Sequence, residues 1–358
     1  MGDIERQNEG KEQQNEGQDR HRRFWLITYP RTASHLLVHM LNVEKQPNVQ
    51  YRERGGYFFL PLIPLRDFEL RARSKHVQDW PPEYRERVKQ CFQRCFDDLQ
   101  EHFDAAQADD KIVFVKEHSD FVTEPTAQSR FLFGADSVKE EPWTVGMPGM
   151  SEEQISRSSL NNTVFPDEFL MTWLPTFLIR HPALVFPSHY RTILDNEGPE
   201  IAKSHETALD MTLHWSRSLY DWYAEYFSNN PPPTSSDGDV TWPLVIDADD
   251  VMLEPEVVLR LAEIVGMDPG KLQFSWELVS REEVDRQHPV ERRMRSTIDA
   301  STGIVRSKTA VGLDIEVEAR KWKEEFGEAE GERMEKWVRD AMPDYEVMRA
   351  RRLRPRKN

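Results

Sequence analysis

Four short apolar runs interrupt a chain that is otherwise rich in charge, and each is long enough for one buried strand. They cover residues 24–28, 111–118, 175–179 and 243–247. Longer stretches between them repeat apolar residues at the three- and four-residue spacing of one helix face, most clearly across residues 204–227. Strands alternating with helices predict an α/β fold, in which helices flank a central parallel sheet as a three-layer sandwich.

The first run leads straight into a turn and the start of a helix. Pro30 breaks the strand pattern, and small or hydroxyl residues follow where a helix leaves its N–H groups unpaired. Those donors and the positive end of the helix dipole favour a phosphate or a sulfate. Arg31 adds a planar charge that can bind two oxygens at once. Residues 29–38 therefore predict an anion site, the alternative being a plain strand–helix connection. The Gly-x-x-x-x-Gly-Lys-Ser/Thr pattern of triphosphate loops occurs nowhere in the chain.

Two further runs end in residues suited to the same chemistry. Arg180 follows one strand and Ser188 comes eight residues later, so a guanidinium and a hydroxyl could bind one dianion without a metal. The alternative interpretation pairs Arg180 with a nearby carboxylate. Another strand ends in Lys116, Glu117 and His118, and an imidazole can act as a base near neutral pH. In an open parallel sheet, ligands bind at the carboxyl ends of the strands, where these segments stand.

These three segments resemble the sulfotransferases that use 3′-phosphoadenosine 5′-phosphosulfate (PAPS) as donor. The anion loop follows the family's Pro-(Lys/Arg)-Ser-Gly-(Thr/Ser)-Thr-x-Leu order, although Ala33 replaces a glycine and His35 a hydroxyl residue. Arg180 and Ser188 keep the spacing of the family's 3′-phosphate site, and the Lys-x-His triplet stands in for its Lys-Thr-His. The chain is identified as a divergent member of this family.

The resemblance implies a transferase that moves a sulfuryl group from PAPS to a hydroxyl or amine of a small-molecule acceptor. The product of the donor is 3′-phosphoadenosine 5′-phosphate (PAP), and no metal is implied. His118 is the implied base, with Arg31 and Lys116 neutralising developing charge. Glu117 replaces the family's Thr and could raise the pKa of His118 or face solvent. The implied donor site comprises Arg31, Thr32, Ala33, Ser34, His35, Leu36, Arg180 and Ser188, with Arg306 and Lys308 as weaker candidates.

Three alternatives stay open. The sulfate could serve only as a leaving group for elimination or cyclisation, in which case the final product carries none. A kinase-like protein on the related P-loop scaffold would need magnesium and a triphosphate loop. A protein that binds the nucleotide but has lost transfer would explain the departures at Ala33, His35 and Glu117, since fold resemblance alone does not establish catalysis.

Composition limits the classes of partner and the cellular location that we expect for this protein. The 358 residues carry a formal net charge of −16 and a pI near 5.2, which argues against nucleic acid and anionic membranes as partners. No apolar run approaches the roughly 20 residues of a membrane helix, and we expect a cytoplasmic enzyme, with a homodimer left open. Cys91 and Cys95 are the only cysteines, and they form neither a metal cage nor a disulfide framework.

The chain divides into segments of different composition. Residues 1–21 are polar and nearly free of branched or aromatic side chains, which predicts disorder. Residues 22–358 are interpreted as one domain. Within it, residues 122–165 lack a regular period and are interpreted as an irregular insertion on the acceptor side. Residues 51–65, rich in aromatics and prolines, are interpreted as core or as a lid over the acceptor, and the basic residues 349–358 as a solvated tail.

Overall fold

A five-stranded parallel sheet forms the centre of the protein. The computed structural model describes residues 23–52, 56–232 and 240–356, so the predicted disorder of residues 1–21 lies outside it. The strands are β1 (Arg23–Thr28), β2 (Val49–Gln50), β3 (Ile112–His118), β4 (Leu174–Ile179) and β5 (Leu244–Asp247), in the spatial order β2-β3-β1-β4-β5. The predicted α/β fold with a central parallel sheet is confirmed. The sequence pattern does not predict β2, because two residues carry no period.

Helices surround this sheet. The α-helices are α1 (Ser34–Leu41), α2 (Pro82–Ala108), α3 (Pro125–Phe133), α4 (Asp167–Leu170), α5 (Pro182–Glu197), α6 (Pro199–Ala202), α7 (His214–Asn229), α8 (Ala248–Leu253), α9 (Glu256–Ile264), α10 (Arg281–Arg286), α11 (Pro289–Asp299), α12 (Ile315–Phe326) and α13 (Glu328–Ala350). Short 3₁₀ turns occupy Val43–Lys45, Val77–Asp79, Ala135–Ser137, Glu152–Gln154, His205–Leu209, Pro269–Lys271 and Arg306–Lys308, and a π-helix spans Pro64–Glu69. Helix α2 packs against β2 and β3, whereas α7 packs against β4 and α13 against β4 and β5. None of the described helices combines the length and apolar character that crossing a bilayer requires.

Strand register brings the three sequence motifs to one edge of the sheet. Thr28 on β1 lies opposite His118 on β3, and Ile27 lies opposite Phe177 on β4. All six residues of β4 are buried, as expected for a central strand covered on both faces. Because the three strands are parallel, the segments that follow them leave the sheet at the same edge. The anion loop, the Lys-x-His triplet and Arg180 are therefore neighbours.

The predicted insertion at residues 122–165 is more regular than its sequence suggests. It contains helix α3, whose start is capped by the buried carboxylate of Glu124. That carboxylate accepts the N–H groups of Thr126 and Ala127 at 2.7 and 2.6 Å. Gln128 and Ser129 are buried although they are polar, so the helix shows no apolar period. The periodicity test fails here because the interior face of α3 is itself hydrophilic.

The basic segment near the C-terminus is packed against the protein rather than solvated. Arg352 forms an ion pair with Asp250 at 2.7 Å. The N–H of Leu353 donates to the carbonyl of Val245 in β5 at 2.7 Å, and the Leu353 side chain is buried. Acidic residues at the end of β5 thus attract the arginines, and the segment covers the edge of the sheet.

The apolar stripe at residues 204–227 does not form one continuous helix. A 3₁₀ turn at His205–Leu209 comes first, and α7 begins only at His214. The indole of Trp215 donates to the carbonyl of Leu209 at 3.0 Å, which joins the two pieces across the break. Both pieces keep the spacing because both bury apolar side chains, Leu209 in the turn and Trp215 and Leu219 in α7.

Candidate active site

The loop after β1 turns sharply and presents the start of α1. Arg31 and Ala33 adopt left-handed backbone conformations, with φ of 69° and 65°. The hydroxyl of Thr32 donates to the carbonyl of Tyr29 at 2.7 Å, and the N–H of Leu37 donates to the carbonyl of Ala33 at 3.2 Å. Since that bond belongs to the first turn of α1, the N–H groups just before Leu37 have no intrahelical acceptor. The loop therefore has the geometry of an anion site, reached without the usual glycine.

A cavity of about 360 Å³ opens in front of this loop. Its wall includes nine residues proposed from the sequence, namely Arg31, Ala33, Ser34, His35, Leu36, His118, Arg180, Ser188 and Lys308. Three proposed residues do not line it. Thr32 is buried and occupied with Tyr29, Lys116 is buried, and Arg306 is exposed while its neighbour Ser307 faces the cavity.

Arg31 and Arg180 connect the chain segments of the cavity wall by donating hydrogen bonds to backbone carbonyls and to one hydroxyl. Arg31 Nε donates to Ser188 Oγ at 3.0 Å, and Arg31 Nη1 donates to the carbonyl of Met294 at 3.3 Å. Arg180 donates from its two terminal nitrogens to the carbonyls of Arg31 and Lys308, at 3.0 and 2.7 Å. The loop after β1, the end of β4 and the segment after α11 are thereby tied together around the cavity.

These cations have no ion-pair partner among the described residues. No described carboxylate lies within ion-pair distance of Arg31, Arg180 or Lys308, although the charges of Asp249 and Asp247 act on Arg180 from farther away. Burial, together with the charges of Arg293 and Arg180, lowers the pKa of Arg31 to about 10. Burial and the charges of Arg180 and Arg31 also lower the pKa of Lys308. Depressed pKa values in a cluster of cations mark a place where an anion would be stabilised.

Hydrogen bonds to both ring nitrogens favour one tautomer of His118. Thr28 Oγ1 lies 2.6 Å from His118 Nδ1 and also donates to the carbonyl of Glu117 at 3.0 Å. A hydroxyl has one proton; with that proton directed to the Glu117 carbonyl, His118 Nδ1 is the donor to Thr28. The lone pair then sits on Nε2, which lies 3.0 Å from the phenol oxygen of Tyr57. His118 thus presents an unprotonated nitrogen to a hydroxyl partner.

The electrostatic surroundings keep that imidazole neutral. Burial, and then the charges of Lys116 and His189, hold the pKa of His118 well below its usual range. The charge of Lys116 is the largest cause of a similar lowering of the pKa of His35, followed by burial. Both rings are therefore uncharged at physiological pH, which is the state a general base requires.

Lys116 and Glu117 are buried neighbours with different surroundings. Lys116 Nζ lies 4.2 Å above the ring of Tyr57, has no hydrogen-bond partner among the described residues, and has its pKa lowered by burial to about 7. Glu117 accepts the N–H of Phe59 at 2.9 Å, and burial raises its pKa to about 8. Both expectations for Glu117 were wrong, because it neither faces solvent nor raises the pKa of His118.

Sequence reasoning missed several residues of the site. Thr28 was treated only as the end of a strand, and Tyr57 only as part of an aromatic stretch. Met294 and Ser307 line the cavity from the region of α11 and the segment after it, far along the chain from the motifs. The closeness of residues 51–65 to the anion loop was a signal for Tyr57, whereas nothing local marked Met294 or Ser307.

Comparison with known proteins identifies the family. No protein-family model matches the chain. The chain is 46% identical over 334 residues to sulfotransferase ppzF of Metarhizium rileyi (strain RCEF 4871), covering 93% of this chain and 96% of that protein. It is 45% identical over 335 residues to sulfotransferase ppzF of Metarhizium majus (strain ARSEF 297), covering 93% and 97%. The chain therefore belongs to the sulfotransferases and is a transferase by family.

A solved structure was also matched, a sulfotransferase domain from the curacin biosynthetic pathway. The match covers 81% of this chain and 89% of that domain, with 14% identity and a TM-score of 0.32.

Proposed function

We propose that this protein transfers a sulfuryl group from PAPS to a hydroxyl or amine of a small-molecule acceptor, with His118 as the general base. The observation that supports this best is the combination within one cavity of three cations without an ion-pair partner among the described residues, the start of α1 and a neutral His118. The cations and helix N–H groups suit a polyanionic donor, and the imidazole suits proton removal from an acceptor.

The residues of the cavity fit the donor. Arg180 Nε is buried without a partner among the described residues, and Ser188 carries a hydroxyl that already contacts Arg31. A 3′-phosphate bound between Arg180 and Ser188 would satisfy the guanidinium with charge-assisted hydrogen bonds. The N–H groups of Ser34, His35 and Leu36 would receive the 5′-phosphosulfate at the positive end of the α1 dipole. Lys308 would add charge from the opposite wall.

The chain's own residues would supply proton removal and charge neutralisation. When bound, PAPS provides an activated sulfuryl group with PAP as leaving group. His118 Nε2 would take the proton of the acceptor, and Thr28 would hold the ring in the tautomer that leaves Nε2 unprotonated. Arg31 at the loop and Lys116 beside His35 would stabilise negative charge that builds on the transferring oxygens. Preorganised cations act more strongly here than in water because the site is largely buried.

The donor assignment is tested by titrating the protein with PAP and with ADP in a calorimeter, each with EDTA and then with magnesium. We expect PAP to bind without magnesium and much more tightly than ADP, because only PAP carries a 3′-phosphate for Arg180 and Ser188. Equal affinities, or binding that needs magnesium, would contradict the proposal and favour a kinase-like protein. A separate assay with radiosulfur-labelled PAPS and a confirmed acceptor tests the elimination alternative. Release of PAP together with a final product that carries no label would identify sulfation as a way to make a leaving group.

A further inference from the structure

The phenol of Tyr57 occupies the place beside the base. Its oxygen lies 3.0 Å from His118 Nε2, and its ring packs against His118 and Phe121 with centroid distances of 4.9 and 5.9 Å. The ammonium group of Lys116 lies 4.2 Å from the centre of the same ring. A hydroxyl of the protein itself is thus held where the proposed mechanism requires an acceptor hydroxyl.

The other contacts of this phenol point toward the donor loop. The hydroxyl of Ser34, the first residue of α1, lies close enough to act on the pKa of Tyr57 as a hydrogen-bond partner. The oxygen therefore stands between the base on one side and the anion loop on the other. Burial raises the pKa of Tyr57 above its usual range, so the phenol keeps its proton until a base removes it.

The tautomer of His118 makes the contact productive. In the tautomer with Nδ1 of His118 as the donor to Thr28, Nε2 accepts, and the phenol of Tyr57 is the donor of the 3.0 Å bond. The proton that the base would take from an external acceptor is the one now carried by Tyr57. Lys116, over the face of the ring, would stabilise negative charge on the phenol.

We propose that Tyr57 is itself a sulfuryl acceptor, so that the protein sulfates its own Tyr57 when PAPS is bound and no external acceptor is present. This rests on the proposed function, because PAPS is the co-substrate. The Tyr57 oxygen forms a bond to the sulfur while the bond between sulfur and the bridging oxygen of PAPS breaks. The phenol proton passes to His118 Nε2, and PAP leaves with the electron pair of the broken bond.

Self-sulfation of this kind stops after one event per chain. The product, tyrosine O-sulfate, has no remaining proton to give and places a charged group against His118 and Ser34. An external acceptor must reach the same nitrogen, so acceptor binding and self-sulfation compete for His118 Nε2. Modified chains would therefore be inactive toward external acceptors.

The test incubates the full-length protein with radiosulfur-labelled PAPS and no acceptor, followed by intact mass measurement and peptide mapping. We expect label to approach one sulfuryl group per chain and to lie on the peptide that contains Tyr57. Tyr57→Phe should reduce the label at least tenfold, and His118→Gln should reduce it comparably because the proton then has no acceptor. Tyr84→Phe is the matched control: Tyr84 is half-buried at the start of α2, away from the cavity, and its replacement should leave labelling unchanged.

PAP binding measured on the same preparations separates the outcomes. Tyr57→Phe that binds PAP normally but stays unlabelled supports the proposal, since the isosteric ring keeps the fold. Wild-type protein that binds PAP but gains no label overturns it, and so does label on any residue other than Tyr57. Wild-type protein that binds neither PAP nor PAPS overturns the proposed function itself.

Discussion

Replacing Arg180 by alanine removes the cation that the proposed donor site depends on most. A guanidinium offers five N–H donors. Two of them are engaged by the carbonyls of Arg31 and Lys308, so five minus two leaves three for a ligand. Nε is one of the three and is buried without a partner among the described residues. A phosphate can therefore be bound by two donors at once without breaking either backbone contact.

The expected loss follows from these contacts. Charge-assisted hydrogen bonds to a dianion in a partly buried site are worth about 2–3 kcal/mol together, which corresponds to a rise of about 30- to 150-fold in the Kd for PAP. ADP has no 3′-phosphate, so its weaker binding should change much less. The ratio of the two affinities isolates the contribution of Arg180 to phosphate recognition from any general loosening of the cavity.

A second arginine provides the matched control. Arg293 is also close enough to lower the pKa of Arg31, but its own charge is compensated by Asp195 at 2.7 Å. Because that pair is partly exposed, Arg293→Ala should weaken PAP binding by less than about 1 kcal/mol. Calorimetry at fixed ionic strength compares the two variants. Normal PAP binding by Arg180→Ala, or an equal loss in Arg293→Ala, would show that the end of β4 does not hold the 3′-phosphate.

Three further outcomes are expected. Ala33→Gly removes the strain of a left-handed backbone at φ 65°, which stabilises the fold by about 1–2 kcal/mol and exceeds the entropy cost of glycine. Urea unfolding should therefore show a free energy of unfolding about 0.5–1 kcal/mol higher than that of wild type. A lower free energy of unfolding would contradict backbone strain at Ala33. Burial raises the pKa of Glu117 from 4.5 to about 8, so the folded protein retains a proton that the unfolded chain releases, and stability falls as pH rises through that interval. Between pH 5 and pH 7 wild type should therefore lose about 2–3 kcal/mol more than Glu117→Gln, and parallel pH profiles would refute the raised pKa of this buried carboxyl. His118→Ala should bind PAP with a Kd within about twofold of that of wild type, but should release no PAP from PAPS in the presence of a confirmed acceptor. His118→Gln should recover little of this activity, since an amide takes no proton. Release of PAP at the wild-type rate would make His118 a positioning residue and His35 the next base to test.

Sequence reasoning worked where a local signal and a local structure coincide. The apolar runs at residues 24–28 and 175–179 become β1 and β4 because a strand buried on both faces needs little more than continuous hydrophobicity. The anion loop could be recognised from consecutive residues, since a helix start is a local feature. Parallel pairing then brings the segments after the strands together at one edge, as the general rule for such sheets predicts.

Reasoning from sequence failed where a residue's surroundings come from distant parts of the chain. Glu117 is the middle residue of the Lys-x-His triplet, yet its carboxylate accepts the N–H of Phe59 in the interior and does not face solvent as expected. The helix within residues 122–165 was not predicted because its interior face is polar and shows no apolar period. Its start is capped by Glu124, which no local pattern indicated. The packing of Arg352 and Leu353 against β5 depends on Asp250 and Val245, about a hundred residues earlier.

By itself, the sequence determined four of the five strands, the loop at the start of α1 and the three segments that carry the candidate chemistry, because each depends on neighbouring residues. Tertiary structure alone decided what those residues can do. It brought Thr28 and Tyr57 to the two nitrogens of His118, which sets the position of the lone pair. It also buried Lys116 and Glu117, which moves their pKa values to about 7 and about 8. Protonation and hydrogen-bond direction depend on solvent exclusion and on charges within a few ångströms, and only the folded chain supplies both.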